Sequence, residues 1–393
     1  MRRTETRRRR RGLAAVVLAG TAVACSPDGR SGAGPGSADS TATATDEDDV
    51  TYPGDEWATV DPATAGFDPA ALGRLDEAAA AAGSTCLVVT RDGAVVDERY
   101  WRGSTADTPR EAFSVTKSVT STLVGIAQDA DRLELDDPAA DYLPEWRGTT
   151  SEAVTVENLV RNDSGRHWDL ATDYRDMAIG ASDKTAFALA LGQDAPPGDV
   201  WAYNNSAIQT LSAVLETATG EDPIDYARTH LFEPLGMADS TLTTDAAGNA
   251  LTFMGLRTTC LDLARFGYLM LRDGVWDGEQ VVSSDYVEQA TGRSSTELNA
   301  AYGLLWWLNR EGTIATPALA TTGIDDGSGA RRGQLVPGAP DDAFWALGFR
   351  NQIVAVIPSE GIVAVRMGAA PPPGAPFTQA ELTAGVLDAV VDP

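Results

Sequence analysis

The body of this chain begins and ends in β-type sequence, with helical pattern between. Cys86–Tyr100 reads as two β-runs on either side of Asp92-Gly93, a hairpin signal. Similar runs return at Gly303–Leu308, Ala343–Leu347, Gln352–Ile357 and Gly361–Met367. Between them the apolar spacing predicts helices over 115–128, 155–162, 184–192, 205–219, 222–232, 260–273 and 284–291. An alanine-rich helix over about 69–82 precedes the hairpin, and one over 378–391 closes the chain. Strands so far apart share a sheet only if the chain leaves it and returns. The pattern therefore implies one discontinuous α/β lobe, about 57–114 and 300–393, carrying an inserted α lobe of about 115–299. Residues 57–393 also exceed what one compact core usually takes, in keeping with two lobes. No repeat and no membrane-spanning apolar run interrupts the body.

Residues 1–25 read as an export signal and not as part of the fold. Seven arginines precede an apolar stretch, Leu13 to Ala24, which is too short to cross a bilayer. Ala22-Val23-Ala24-Cys25 resembles a bacterial lipoprotein cleavage site, with Cys25 becoming the lipidated N-terminus; ordinary cleavage near Ala24 is the other reading. Arg7–Arg11 before Gly12-Leu13 also fits twin-arginine export. Residues 26–56 are almost wholly Gly, Ser, Thr, Pro, Ala and Asp, too poor in apolar surface to offset their ordering entropy, and read as a flexible tether. The expected location is extracytoplasmic, as a bacterial cell-surface lipoprotein or a secreted protein.

Charge narrows the partners. The whole chain carries 30 basic and 57 acidic residues; without the seven Arg and one Glu of residues 1–25 it has 23 against 56, or −33. Such a charge argues against nucleic acid and anionic membrane surfaces, leaving a lipid on Cys25 as the expected membrane contact. Cys86 and Cys260 remain in the body, either paired, as export allows, or packed as small buried side chains.

Lysine is scarce: Lys117 and Lys184 are the two in the chain. Lys117 follows Ser114 by three residues at the start of the 115–128 helix, so the two side chains share a face. A partly buried lysine gives up its proton and serves as a base toward serine, which arginine does not do. Lys184 has Ala181 at the same spacing and makes no such pair. His167 lies in the loop Ser164–Trp168 and His230 at a helix end; no serine sits in a Gly-x-Ser-x-Gly turn, so a histidine triad lacks support. Neither a metal-ligand cluster nor a phosphate-loop pattern is present, and no cofactor is expected.

A second element, Tyr203-x-Asn205, follows Pro196-Pro-Gly-Asp-Val just before a helix. Ser114-x-x-Lys117 with Tyr203-x-Asn205 resembles the serine hydrolases of the class C β-lactamase and penicillin-binding-protein superfamily. Thr155–Gly165, Phe232–Met237 and Asp262–Gly267 match it too, and the likeness covers about residues 57–393. It implies an α+β fold with an antiparallel sheet flanked by helices and an inserted all-α lobe. By position it implies that Ser114 attacks a carbonyl to form an acyl-enzyme. Lys117 and Tyr203 would share the proton relay, each lowering the other's pKa, and Asn205 would orient Lys117 and the substrate. The backbone N–H of Ser114 and one from Ala346, Leu347 or Gly348 would hold the oxyanion.

The third motif departs from that pattern. Many relatives carry Lys-Thr-Gly or His-x-Gly on a strand at the site edge, whose cation holds a substrate carboxylate. Here the stretch is Ala343–Phe349, with no lysine or histidine; Thr321-Thr322-Gly323 starts a polar loop, and Arg350 is the nearest substitute. The resemblance then implies a small ester or amide substrate, as in the superfamily's esterases and 6-aminohexanoate-dimer hydrolases. β-Lactamase or D,D-peptidase activity is the alternative. A non-catalytic surface binding protein with the penicillin-recognition shape is the alternative of another class. Trp306 and Trp307 either line the acyl pocket or sit in the core.

Overall fold

A computed structural model describes residues 51–391, and these form one compact unit. The export signal, Cys25 and the tether up to residue 50 lie outside the described residues. Within the expected tether, residues 51–55 pack on the body. Tyr52 meets Tyr268 and Trp276 edge-on, and the buried Arg265 donates to the carbonyls of Pro53, Gly54 and Asp55. The polar composition hid this because the chain is held through its backbone carbonyls and one aromatic ring.

Helix α1 (Pro69–Ala81) starts at Asp68, which accepts from Ala70 N, with proline at the first helical position. The hairpin follows as predicted: β1 (Ser84–Arg91), a turn with positive φ at Asp92 and Gly93, and β2 (Ala94–Tyr100). Strand β3 (Arg110–Phe113) leads into α2 (Val115–Asp129). The middle holds α3 (Val156–Arg161), a π-helical stretch Ala171–Gly180, α4 (Lys184–Ala190), α5 (Asn205–Gln209), α6 (Leu211–Thr219) and α7 (Pro223–Ala227). Strands β4 (Thr241–Leu242) and β5 (Leu256–Thr258) join β3 in a small sheet ordered β3-β5-β4. After α8 (Cys260–Leu271) come the short pair β6 (Val275–Trp276) and β7 (Glu279–Gln280), then α9 (Ser284–Val287). The return half comprises β8 (Trp307–Leu308), a side hairpin of β9 (Gly312–Ile314) and β10 (Arg331–Gly333), β11 (Phe344–Gly348), β12 (Gln352–Ile357), β13 (Ile362–Gly368) and α10 (Gln379–Leu387).

The main sheet is antiparallel throughout and ordered β2-β1-β13-β12-β11-β8. The returning strands thus insert next to β1, as a discontinuous sheet requires. Helices cover both faces. Alternation along β11 sends Phe344 toward Trp306 and, through it, Phe266 of α8, while Trp345 donates to Thr383 of α10. Gly267 lets α8 lie flat on the sheet, since a Cβ there would fall 2.5 Å from a Val363 methyl. Cys86 of β1 and Cys260 of α8 are joined by a disulfide across this interface.

Two differences from the predicted strands matter for the site. The run 303–308 yields a strand only at Trp307–Leu308, because the chain turns tightly at Gly303–Trp306 and Leu305 takes a positive φ of 60°. Strand β8 therefore pairs with Phe344 and Trp345 of β11 but stops short of its C-terminal half, leaving Ala346–Gly348 as an open sheet edge. Strand β3 was not foreseen; four residues after Thr108-Pro109 carry too little alternation to announce a strand.

Candidate active site

Ser114 stands at the junction of β3 and α2. It is the N-cap of α2, yet its side chain makes no capping bond, so the hydroxyl is left for other work. The residue before it, Phe113, holds φ of 50°, a left-handed conformation that an aromatic residue seldom adopts. Thr116 secures that turn: its hydroxyl donates to Phe113 O and accepts from Leu256 N.

Lys117 points back along the same helix face. Its Nζ lies 2.9 Å from Ser114 Oγ and 2.9 Å from the carbonyl of Phe253. The side chain is 1% exposed, and no carboxylate forms an ion pair with it among the described residues. Burial pulls its pKa down to about 7, against an opposing pull from the charge of Asp173. Lys184, by contrast, donates to Ala181 O at its own helix start and lies apart from the cleft.

Tyr203 packs over Lys117, whose Nζ is 4.7 Å from the ring centroid, and its hydroxyl faces Ser114. The expected mutual lowering of two pKa values does not occur. Burial raises the phenol, and the hydrogen bond to Ser114 offsets this only in part. Burial disfavours the charged lysine as well, so the ammonium is too weakly favoured to draw the phenol down. The pair is an amine ready to accept a proton beside a phenol that keeps its own.

The loop carrying Tyr203 is braced from behind. Asn162, left-handed at φ of 62°, accepts from Asn204 N, and its carbonyl accepts from Ala202 N. Trp168 Nε1 donates to Tyr203 O at 3.0 Å, and Trp307 stacks on the Tyr203 ring at 5.8 Å. Asn204, not Asn205, caps α5 by accepting from Ala207 N. Asn205 instead donates to Asp173 at 2.7 Å and borders the cleft; no hydrogen bond joins it to Lys117, whose Nζ is bonded to Ser114 and Phe253. Asp173 is the residue that sequence reasoning missed. It sits in the π-helical stretch, 1% exposed, and nothing in Asp169–Asp176 singles it out from its exposed acidic neighbours. Phe253 was equally illegible, since it acts through its carbonyl.

These groups open into a cleft of about 510 Å³ walled mainly by Phe113, Tyr174, Phe253, Met254, Trp307 and Phe349. Leu347 and Gly348 form its edge beside Ser114, whereas Ala346 is fully buried and does not border it. Gly348 is required by contact: a Cβ there would lie 2.2 Å from Ala112 O. That approach brings the open edge of β11 beside Ala112 of β3, two residues before Ser114. The tryptophans divide: Trp307 lines the cleft, and Trp306 is core, stacked on Phe266. His167 is satisfied by Asp169 and Asp194, and His230 by Glu221 and the Tyr226 ring. Thr321 pairs with Trp201 in a loop outside the main sheet.

Comparison with known proteins agrees with this fold. A family model described as Beta-lactamase matches residues 72–387. A 6-aminohexanoate-dimer hydrolase of Paenarthrobacter ureafaciens is 28% identical over 260 residues, 58% of this chain and 66% of the relative. Penicillin-binding protein 4 of Amycolatopsis lactamdurans is 28% identical over 295 residues, 66% of this chain and 72% of the relative. The crystal structure of a β-lactamase from Mycobacterium bovis superposes with a TM-score of 0.58 at 17% identity, over 82% of this chain and 100% of that one.

Proposed function

This chain belongs to the beta-lactamase family, and from that premise we propose that it is a serine hydrolase cleaving a small ester or amide through an acyl-enzyme. The observation that carries the reading is the buried Lys117 amine 2.9 Å from Ser114 Oγ, with a pKa lowered to about 7. At neutral pH a large share of this lysine is unprotonated, so it takes the serine proton as Oγ bonds to the substrate carbonyl carbon. The oxyanion so formed meets the N–H groups of Ser114 and of the Leu347–Gly348 edge. Tyr203, kept as a phenol by burial, donates to the departing alkoxide or amine and is reprotonated by the Lys117 ammonium. Water then repeats the sequence on the acyl-enzyme and frees Ser114.

The cleft favours apolar groups beside the scissile bond. No cation lines it among the described residues, since Lys117 is buried and does not border it. An ester or a simple amide suits that lining better than a β-lactam, whose carboxylate would lie next to the reacting carbonyl. Two relatives bear on this: one is described as a 6-aminohexanoate-dimer hydrolase and another as Esterase EstB of Burkholderia gladioli. The Cys86–Cys260 disulfide supports an extracytoplasmic location, with the signal segment and Cys25 as the means of export and anchoring.

A fluorophosphonate probe tests the nucleophile. Labelling of the wild type and none of Ser114→Ala is expected; equal labelling of both defeats the reading. Turnover of a short-chain 4-nitrophenyl ester with little or no turnover of a chromogenic cephalosporin is expected for the substrate class, and the opposite order would reverse it.

A further inference from the structure

Four arginines gather on one side of the cleft, in a chain whose net charge is −27. A second cavity, of about 370 Å³, is lined by Arg110 of β3, Arg257 of β5 and Arg350 of the β11–β12 turn, with Glu111 as its one carboxylate. Phe113 lines both cavities, and its ring meets that of Phe349 edge-on at 5.6 Å, so an aromatic wall separates them. The Arg350 guanidinium stands 5.6 Å from the centroid of each of these rings.

The fourth arginine lies below. Arg366 of β13 is 0% exposed and donates to Ser84 Oγ and to the carbonyls of Ala82, Arg350, Asn351 and Ala369. Gln352 and Gly368, which bond to each other beside it, line the cavity. All the acceptors of Arg366 are neutral, so its positive charge is uncompensated in the interior. None of these four forms an ion pair among the described residues, as is also so for the buried Arg166 and Arg265, which likewise donate only to neutral acceptors. Isolated surface arginines would need no explanation. Three converging on one concavity above a buried, unpaired fourth do, in a chain with nearly twice as many acidic as basic residues.

We propose that the Arg110–Arg257–Arg350 cavity is an anion subsite of the enzyme, holding a carboxylate carried by the substrate at a distance from the bond that Ser114 attacks. This rests on the hydrolase reading and sharpens it. The substrate would be a carboxylate-bearing ester or amide, with apolar atoms along the cleft and its anion past Phe113 and Phe349. Guanidinium groups match a carboxylate through paired N–H bonds. A local cluster is also what an otherwise acidic protein needs to draw in an anion.

The test compares mono-4-nitrophenyl esters of adipate, suberate and sebacate with 4-nitrophenyl hexanoate, octanoate and decanoate, each pair differing in one terminal carboxylate. The wild type is expected to show a higher kcat/KM for the anionic member at one or more lengths. In Arg110→Gln/Arg257→Gln the anionic-to-neutral ratio is expected to fall about tenfold or more, with partial recovery in Arg110→Lys/Arg257→Lys. Unchanged thermal melting would show that the fold is kept. Neutral turnover with no anionic preference at any length, or a ratio unaffected in the double Gln variant, overturns this inference and leaves the hydrolase standing. Absence of turnover on every ester together with absence of fluorophosphonate labelling overturns both.

Discussion

Asp173 Oδ2 accepts the Asn205 side-chain amide at 2.7 Å, tying the π-helical stretch 171–180 to the first turn of α5. The other oxygen of the same carboxylate takes both the N–H and the hydroxyl of Ser206. One buried acid thus anchors the element that follows Tyr203, and its charge also bears on Lys117. Burial lowers the lysine pKa and Asp173 opposes it, so the candidate base is poised between two effects of opposite sign.

Removing that charge is predicted to make Lys117 still easier to deprotonate. In the wild type, kcat/KM should rise with pH through about 7, the value to which burial brings Lys117. In Asp173→Asn the acid limb should move to lower pH, because the opposing pull is gone. The substitution should also lower stability by about 1–3 kcal/mol, since an amide cannot accept all the bonds that the carboxylate takes. A pH–rate profile with an unmoved limb would disconnect Asp173 from the base.

Lys117→Met is predicted to lower kcat/KM about 10³-fold while changing how stability depends on pH. The folded pKa of Lys117 lies near 7, below the usual 10.5, so the fold disfavours its charged form. Between those values the unfolded chain binds a proton that the folded chain does not, and stability rises with pH across that window. Below pH 7 both states are protonated and the full penalty of the buried charge is present. Methionine fills a similar volume without charge, so the variant should lose this upward slope from pH 7 to 10. Denaturant unfolding at several pH values would show it, and a slope equal to that of the wild type would sink the assignment.

The proximity of Ser114 and Lys117 was legible because both stand at the start of one helix, and a spacing of three residues fixes a shared face whatever the rest of the chain does. The main sheet was legible too, since Gln352–Ile357 and its neighbours are apolar on both faces and bounded by turn residues. Asp173 was not: whether an aspartate is buried depends on a tertiary contact that composition does not encode. The arginine cavity was hidden for the same reason, as Arg110, Arg257 and Arg350 come from three separated segments. Pairing of Cys86 with Cys260 stayed open until β1 and α8 were seen to pack together. The expected lowering of the Tyr203 pKa failed because sequence shows which groups are neighbours but not how much water they lose.

The Cys86–Cys260 bond closes a loop with a sequence separation of 174 between a central strand and the helix on its face. Chain-entropy reasoning gives such a loop about 5 kcal/mol, with measured values generally smaller. Cys86→Ala/Cys260→Ala should therefore unfold at clearly lower temperature than the oxidised wild type, by about 3–5 kcal/mol in denaturant titrations. Both sulfurs are buried and lie away from the cleft, so kcat/KM well below the melting range should change little. Equal melting temperatures for the oxidised wild type and the double variant would show that the cross-link contributes nothing.

Gly348 offers the sharpest test of the oxyanion edge, because what it does depends on having no side chain. A Cβ at that position would lie 2.2 Å from Ala112 O, and the nearest relief is to move the end of β11 away from β3. Such a shift would draw the Leu347–Gly348 edge away from Ser114 while leaving the Lys117 amine in place. Gly348→Ala should then lower kcat about tenfold to a hundredfold, in the range of losing one oxyanion donor. The pH at which activity rises should stay near 7, since the base is untouched. Fluorophosphonate labelling should slow in parallel, because the phosphoryl oxygen uses the same donors. If kcat stays within twofold of the wild type, the second donor lies elsewhere and the edge of β11 merely packs against β3.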